Sequence, residues 1–179
     1  MELNGERVLP VERPIAWQAL NDTEVLKAAV PGCESITPAG DNVYEVSVNA
    51  AIGPVKSRFK GRLELYDIVA PSSYAIRFDL QGPAGFARGT ARVSLADAAT
   101  ATTLMKYEVS TSVGGKVAQI GSRLVDAAAA TMTDRFFSVF AAQLAERYPQ
   151  ASSAPSAMRA PGFFSTVLAF LRRLFGGKS

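Results

Sequence analysis

Tyr74-Ala75-Ile76-Arg77-Phe78-Asp79-Leu80, Gly82-Pro83-Ala84-Gly85 and Ala87-Arg88-Gly89-Thr90-Ala91-Arg92-Val93-Ser94-Leu95 together decide the fold class. In both flanks apolar or small residues alternate with polar ones, so the two kinds fall on opposite faces of an extended chain. The Gly-Pro-Ala-Gly between them is turn chemistry. Two such runs joined by a short turn form an antiparallel hairpin in a sheet that is apolar on one face and wet on the other. The same alternation recurs on both sides. Tyr44, Val46 and Val48 alternate with Glu45, Ser47 and Asn49, and Leu63 and Leu65 with Arg62, Glu64 and Tyr66. Met105, Tyr107 and Val109 alternate with Lys106, Glu108 and Ser110. Turn signals separate the runs at 38–42, Gly53-Pro54, Pro71-Ser72-Ser73 and 97–100.

Helical periods flank this sheet region. Residues 2–10 read as a first strand. Pro14 suits the first turn of a short helix to Leu20, where its missing amide costs nothing. Asn21-Asp22-Thr23 is a break and N-cap for a second short helix, Glu24 to Ala29, stopped by Pro31-Gly32. After Gly114-Gly115 one long helix is expected over 116–147. Val117, Ile120, Leu124, Ala128, Met132, Phe136, Val139 or Phe140, and Leu144 mark its inner face. It is the element expected to cover the sheet's apolar side. The fold class is therefore α+β.

Gly121 and the run Ala127 to Ala130 lie mid-helix, and the facing strand offers Ala87, Gly89 and Ala91. Small groups on facing elements permit either close approach or a void. The sequence leaves both open.

Charge divides the chain. Of 179 residues, 19 are basic and 16 acidic; residues 151–179 hold Arg159, Arg172, Arg173 and Lys178 and no carboxylate. The basic excess thus belongs to the tail, and the body lacks the basic stripe of a nucleic-acid binder. With no histidine and one cysteine, Cys33, neither an internal disulfide nor a zinc, haem or copper site is expected. The N-terminus lacks a secretory pattern and no run of about 18 apolar residues spans a bilayer. A cytoplasmic location is expected.

Residues 149–161 are small, polar and punctuated by proline, the composition of a flexible linker. Residues 162–176 are expected to form an amphipathic helix. Phe163, Phe164, Val167, Leu168, Phe170, Leu171, Leu174 and Phe175 fall in one arc of about 160°, and Arg172 and Arg173 lie outside it. Its core of thirteen residues, about 20 Å long, is too short for a hydrocarbon slab of about 30 Å. Aromatics on one face and arginines on the other suit an interfacial anchor. Eight large side chains at half of ~1.5–3 kcal/mol each give roughly 6–12 kcal/mol gross. Basic groups add about 1 kcal/mol each near anionic lipid. Ordering the tail removes much of this, so attachment is reversible. Docking into a partner's groove or folding back on the body are the competing readings.

Four stretches carry a resemblance: Ala29-Val30-Pro31-Gly32-Cys33; Gly53-Pro54-Val55-Lys56 with Phe59-Lys60-Gly61; residues 82–89; and 114–124, from Gly114-Gly115-Lys116-Val117 to Arg123-Leu124. Together they are similar to the CoxG family, the G subunits of carbon monoxide dehydrogenase, within the START-like helix-grip (SRPBCC) superfamily. The resemblance spans about residues 1–147 and implies a domain over 1–148. It implies a seven-stranded curved antiparallel sheet gripping a long C-terminal helix around an apolar cavity. It also implies an accessory role beside a molybdenum-dependent carbon monoxide dehydrogenase, or a related molybdenum hydroxylase, at the cytoplasmic face of the membrane. Such an enzyme must hand electrons to a quinone in the bilayer, so an isoprenoid quinone is the expected ligand. The inward-phased residues expected around it are Phe59, Leu65, Ile76, Phe78, Ala91, Val93, Tyr107, Val109, Ile120, Leu124 and Ala128. A ligand-free assembly factor for the dehydrogenase is the alternative. START-like folds also host enzymes, but these positions offer only tyrosine as a proton donor, so no catalysis is expected.

Cys33 lacks a histidine to activate it and reads as part of a turn. Lys56, Arg58 and Lys60 alternate on one strand face, giving a wet surface or a docking patch for an acidic partner. Trp17 is expected in the core. Asp67 and Asp126 are too far apart in the pattern to form an acid/base pair.

Overall fold

In a computed structural model, which describes residues 1–149, the chain runs through eleven elements. They are β1 (Glu2–Leu9), α1 (Arg13–Leu20), α2 (Thr23–Ala29), β2 (Cys33–Gly40), β3 (Val43–Ile52), β4 (Val55–Val69), β5 (Ser73–Gly82), β6 (Gly85–Asp97), β7 (Thr103–Gly114), α3 (Lys116–Gln119) and α4 (Ser122–Arg147). The linker beyond Pro149 and the tail helix 162–176 lie outside the described residues.

All seven strands form one antiparallel sheet in the order β1-β7-β6-β5-β4-β3-β2. From β2 to β7 the chain is a meander of hairpins, and β1 closes against β7. The hairpin at Gly82–Gly85 turns through Pro83 and Ala84, and that at Ile52–Val55 through Gly53 and Pro54, as their sequences indicate. Alternation carries through the register. Leu63 pairs with Phe78, Leu65 with Ile76, Ile76 with Ala91, and Ala91 with Val109, all on the covered face.

Gly61 and Gly89 are required by close backbone approach. A Cβ on Gly61 would meet the Asp79 carbonyl oxygen, and one on Gly89 the Ser110 carbonyl oxygen. Neighbouring backbone leaves no room there for a side chain. At Gly89 the small residue therefore serves close approach, whereas its neighbour Ala87 borders open space.

Two expectations need correction. The segment after Gly115 is not one helix. It breaks at Ile120–Gly121, where Gly121 takes φ 97°, a conformation that residues with a Cβ resist. Beyond the break Ala128, Met132, Phe136, Phe140 and Leu144 keep the inner face expected of them, and the difference falls on the first turn of α4. Val125 turns inward instead of Leu124, which is 48% exposed, and Phe137, Phe140 and Leu144 follow it into the core. Secondly, α4 does not cover the sheet alone. Ala16, Ala19 and Leu20 of α1 and Val25 and Ala29 of α2 are buried, and α4 packs on α2 as well as on β3. The main core joins these residues to Tyr74, Val93, Leu95, Met105 and Tyr107 of the sheet, and Trp17 packs against it from α1.

Asp22 holds the joint between the short helices. Its Oδ1 accepts from the amides of Glu24 (2.9 Å) and Val25 (3.3 Å), and its Oδ2 lies 3.6 Å from Arg147 at the far end of α4. Asp22→Ala removes an N-cap and should cost about 0.5–2 kcal/mol. A lower urea midpoint at unchanged slope would register it.

Candidate functional site

Under the helices the covered face is not filled. A first apolar chamber of about 250 Å³ lies between the sheet and α2. Its floor is Ile36, Tyr44, Leu63, Leu65, Tyr74, Ile76, Val93 and Met105; its roof is Leu20, Asn21, Thr23, Leu26, Val30 and Phe136. A second chamber of about 270 Å³ lies under the first half of α4. Val48, Ala50, Ile52, Phe59, Leu80, Phe86, Ala87, Thr111 and Val113 face Val117, Val125, Ala128, Ala129 and Met132 across it, with Met1 and Val30 completing the wall. Val30, the residue that caps α2, belongs to both walls, so the chambers adjoin there, one on each side of it. Together they reach the size of small-molecule pockets, about 300–1,000 Å³, which neither reaches alone.

Local sequence explains each wall. The β-branched and leucine positions of β3, β4 and β5 supply the floor by strand alternation. Alanines at 128 and 129 leave room where larger side chains would fill the second chamber. The hairpin turn at Ala84 closes its end. The Val117 amide donates to the Ala84 carbonyl oxygen at 3.0 Å, and the backbones of Gly85 and Gly115 approach too closely for a side chain on either.

The expected ligand residues distribute unevenly. Leu65, Ile76 and Val93 line the first chamber, and Phe59 and Ala128 the second. Phe78 and Ala91 are half-buried in the stretch of floor between them, paired with Gly89 and Ile76. Tyr107 stacks on Phe137 at 5.3 Å within the core, its hydroxyl against Gly5, and Val109 packs against the same core. Ile120 joins the small cluster around Phe59 and Val117. Leu124 faces away from both chambers and borders a groove with Gly53 and Ala127, because the break at Gly121 turns it outward. Tyr44, Val48 and Leu80 were readable from the strand phase. The α1–α2 roof was not, since seven or eight residues do not fix which side of a helix meets a floor.

No side-chain carboxylate, amine, guanidinium or thiol lines either chamber; Met1, in the second wall, brings its terminal ammonium, which donates to the Thr111 carbonyl oxygen at 2.7 Å. Tyr74 is 6% exposed and sits edge-on to Trp17 with ring centroids 5.4 Å apart; burial pushes its phenol well above the ordinary tyrosine range. It is a poor acid or base near neutrality. Cys33 opens β2 half-buried, and burial raises its thiol as well, which opposes nucleophilic use. Asp67 lies at the register shift within β4, at φ 50°, and exposed Asp126 lies on α4. The outer face carries exposed ion pairs: Arg58–Glu34 (2.7 Å), Arg88–Asp79 (3.0 Å) and Arg77–Glu64 (3.2 Å). Of the basic triplet, Arg58 is thus neutralised by Glu34, whose carboxyl is held below the usual range by hydrogen bonds from Ser47, Asn49 and Arg58. Among the described residues no group of three metal-ligating side chains occurs, and no helix is long and apolar enough to cross a membrane.

The family model for the carbon monoxide dehydrogenase G subunit (CoxG) matches residues 5–145. The chain belongs to that family. CoxG family membership thus covers every element from β1 to α4. A conserved protein from Geobacillus kaustophilus superposes with a TM-score of 0.78 at 27% identity, over 82% of this chain and 96% of that one. A START superfamily protein from Mycobacterium smegmatis aligns with a TM-score of 0.63 at 12% identity, over 82% and 98% of the two chains. An aromatase/cyclase from Streptomyces sp. R1128 aligns at 0.60 and 13%, over 88% and 97%. These last two establish the START-like fold and nothing more. No curated protein matches the sequence.

Proposed function

We propose that this CoxG family protein is a non-catalytic accessory of a molybdenum-dependent carbon monoxide dehydrogenase or related molybdenum hydroxylase. It binds an isoprenoid quinone across the two adjoining chambers. Its tail, with Phe163, Phe164, Val167, Leu168, Phe170, Leu171, Arg172, Arg173, Leu174 and Phe175, recruits it and the enzyme to the cytoplasmic face of the membrane. The observation that carries this reading is the pair of apolar chambers adjoining at Val30. A ring with a flexible hydrocarbon tail suits two small chambers in series better than one round ligand does. The family's name supplies the enzyme, whose electrons need a membrane-soluble acceptor. No covalent or metal cofactor enters the account; the quinone is cargo.

The test is extraction of quinone from vesicles. Protein incubated with quinone-loaded vesicles and then separated from them should carry quinone into the soluble fraction. Ala128→Trp, which puts an indole into the second chamber, should reduce this at least about tenfold, while overpacking costs roughly 1–3 kcal/mol of stability. Equal extraction by both proteins would contradict chamber binding.

A further inference from the structure

Tyr74, 6% exposed, stands in the first chamber's wall. Among the described residues the one fully buried side-chain polar atom without a partner is Arg13 Nε, so the Tyr74 hydroxyl, which has no partner either, still reaches open space. It stands on β5, its ring wedged against Trp17 and its side chain lining the chamber. Among the described residues no hydrogen bond reaches its hydroxyl. Elsewhere in that wall Asn21 Nδ2 donates to the Trp17 carbonyl oxygen at 2.8 Å, and Thr23 and Tyr44 are less deeply buried than Tyr74. Buried hydroxyls in folded proteins almost always have a partner. A hydroxyl held deep in a largely apolar wall discriminates ligands by whether they carry an acceptor.

We propose that the Tyr74 hydroxyl donates a hydrogen bond to a carbonyl oxygen on the ligand's ring, placing the oxygen-bearing head in the first chamber and the hydrocarbon tail in the second. This rests on the quinone-carrier reading and adds the ligand's orientation and the residue that selects it. The phenol keeps its proton throughout the physiological range, so the O–H is always available to donate. An oxidised quinone ring offers acceptors only, which complements it. Apart from Thr111 and the terminal ammonium of Met1, which bond each other through the Thr111 carbonyl oxygen, the second chamber's wall is apolar and suits an alkyl chain.

Trp17, the single tryptophan of the chain, reports on the site from 5.4 Å away. The full-length protein and Tyr74→Phe would each be titrated with a decyl-substituted benzoquinone, following quenching of tryptophan fluorescence. Decylbenzene, which has the ring and tail without oxygens, would be measured by its displacement of the quinone. Loss of one hydrogen bond should raise the quinone Kd roughly 3- to 10-fold in Tyr74→Phe and leave the decylbenzene constant unchanged. Equal quinone affinity in both proteins would overturn the role of Tyr74 and leave the carrier reading standing. Equal weakening of both ligands would also overturn it, since only the chamber's shape would have changed. Absence of quenching in both proteins would refute the carrier reading and this orientation with it.

Discussion

Truncation after Ala160 should move the protein from sedimenting vesicles to the supernatant, with partition falling by a factor on the order of 10²–10³. The gross apolar gain of the tail is roughly 6–12 kcal/mol, reduced by the cost of ordering linker and helix. A net of about 3–4 kcal/mol corresponds to that factor. Leu168→Asp with Leu171→Asp should reproduce the loss in the intact chain, because both residues belong to the apolar arc, Leu171 near its middle and Leu168 at its edge. Arg172→Lys should change little, since either cation satisfies anionic lipid. An unchanged distribution on flotation with phosphatidylglycerol vesicles would refute the anchor.

Phe140→Ala should be the most damaging single truncation in the body. The side chain is fully buried, stacks on Phe136 at 5.4 Å with planes 13° apart, and so supports a residue of the first chamber's roof. Removing a buried phenylalanine costs about 3–5 kcal/mol, a large share of a total of roughly 5–15. Leu124→Ala, by contrast, should cost under about 1 kcal/mol, because almost half of that leucine is already in water. An uninterrupted helix from Lys116 would bury Leu124 and make the second loss several times larger. Urea unfolding of the two variants therefore tests the break at Gly121 as well as the core.

The sheet was legible because alternation has a strict period of two and the turns carry glycine and proline. Every strand whose phase was assigned, from Tyr44 to Val109, faces the way its sequence indicates. Helix phase was less secure. A glycine inside a helical pattern reads equally as a tolerated residue or as a break, and at Gly121 the left-handed backbone decided it. That single conformation displaced Leu124 from the chamber wall and brought Val125 in. The chamber walls were legible in their strand positions, Phe59, Leu65, Ile76 and Val93, but the small residues left void and close approach open: Ala87 and Ala128 border space, while Gly89 serves close approach. Val30 and the roof from α1 and α2 carried no periodic signal, because both helices are too short to display one. Tyr74 was visible as an inward position, but its lack of a hydrogen-bond partner belongs to tertiary structure alone.

Organic extraction of full-length protein purified from a quinone-producing host, followed by mass spectrometry, examines the carrier most directly. About one isoprenoid quinone per chain is the expected yield, falling sharply for Ala128→Trp. Recovery of protein free of any lipophilic molecule, or holding a phospholipid instead, would contradict it.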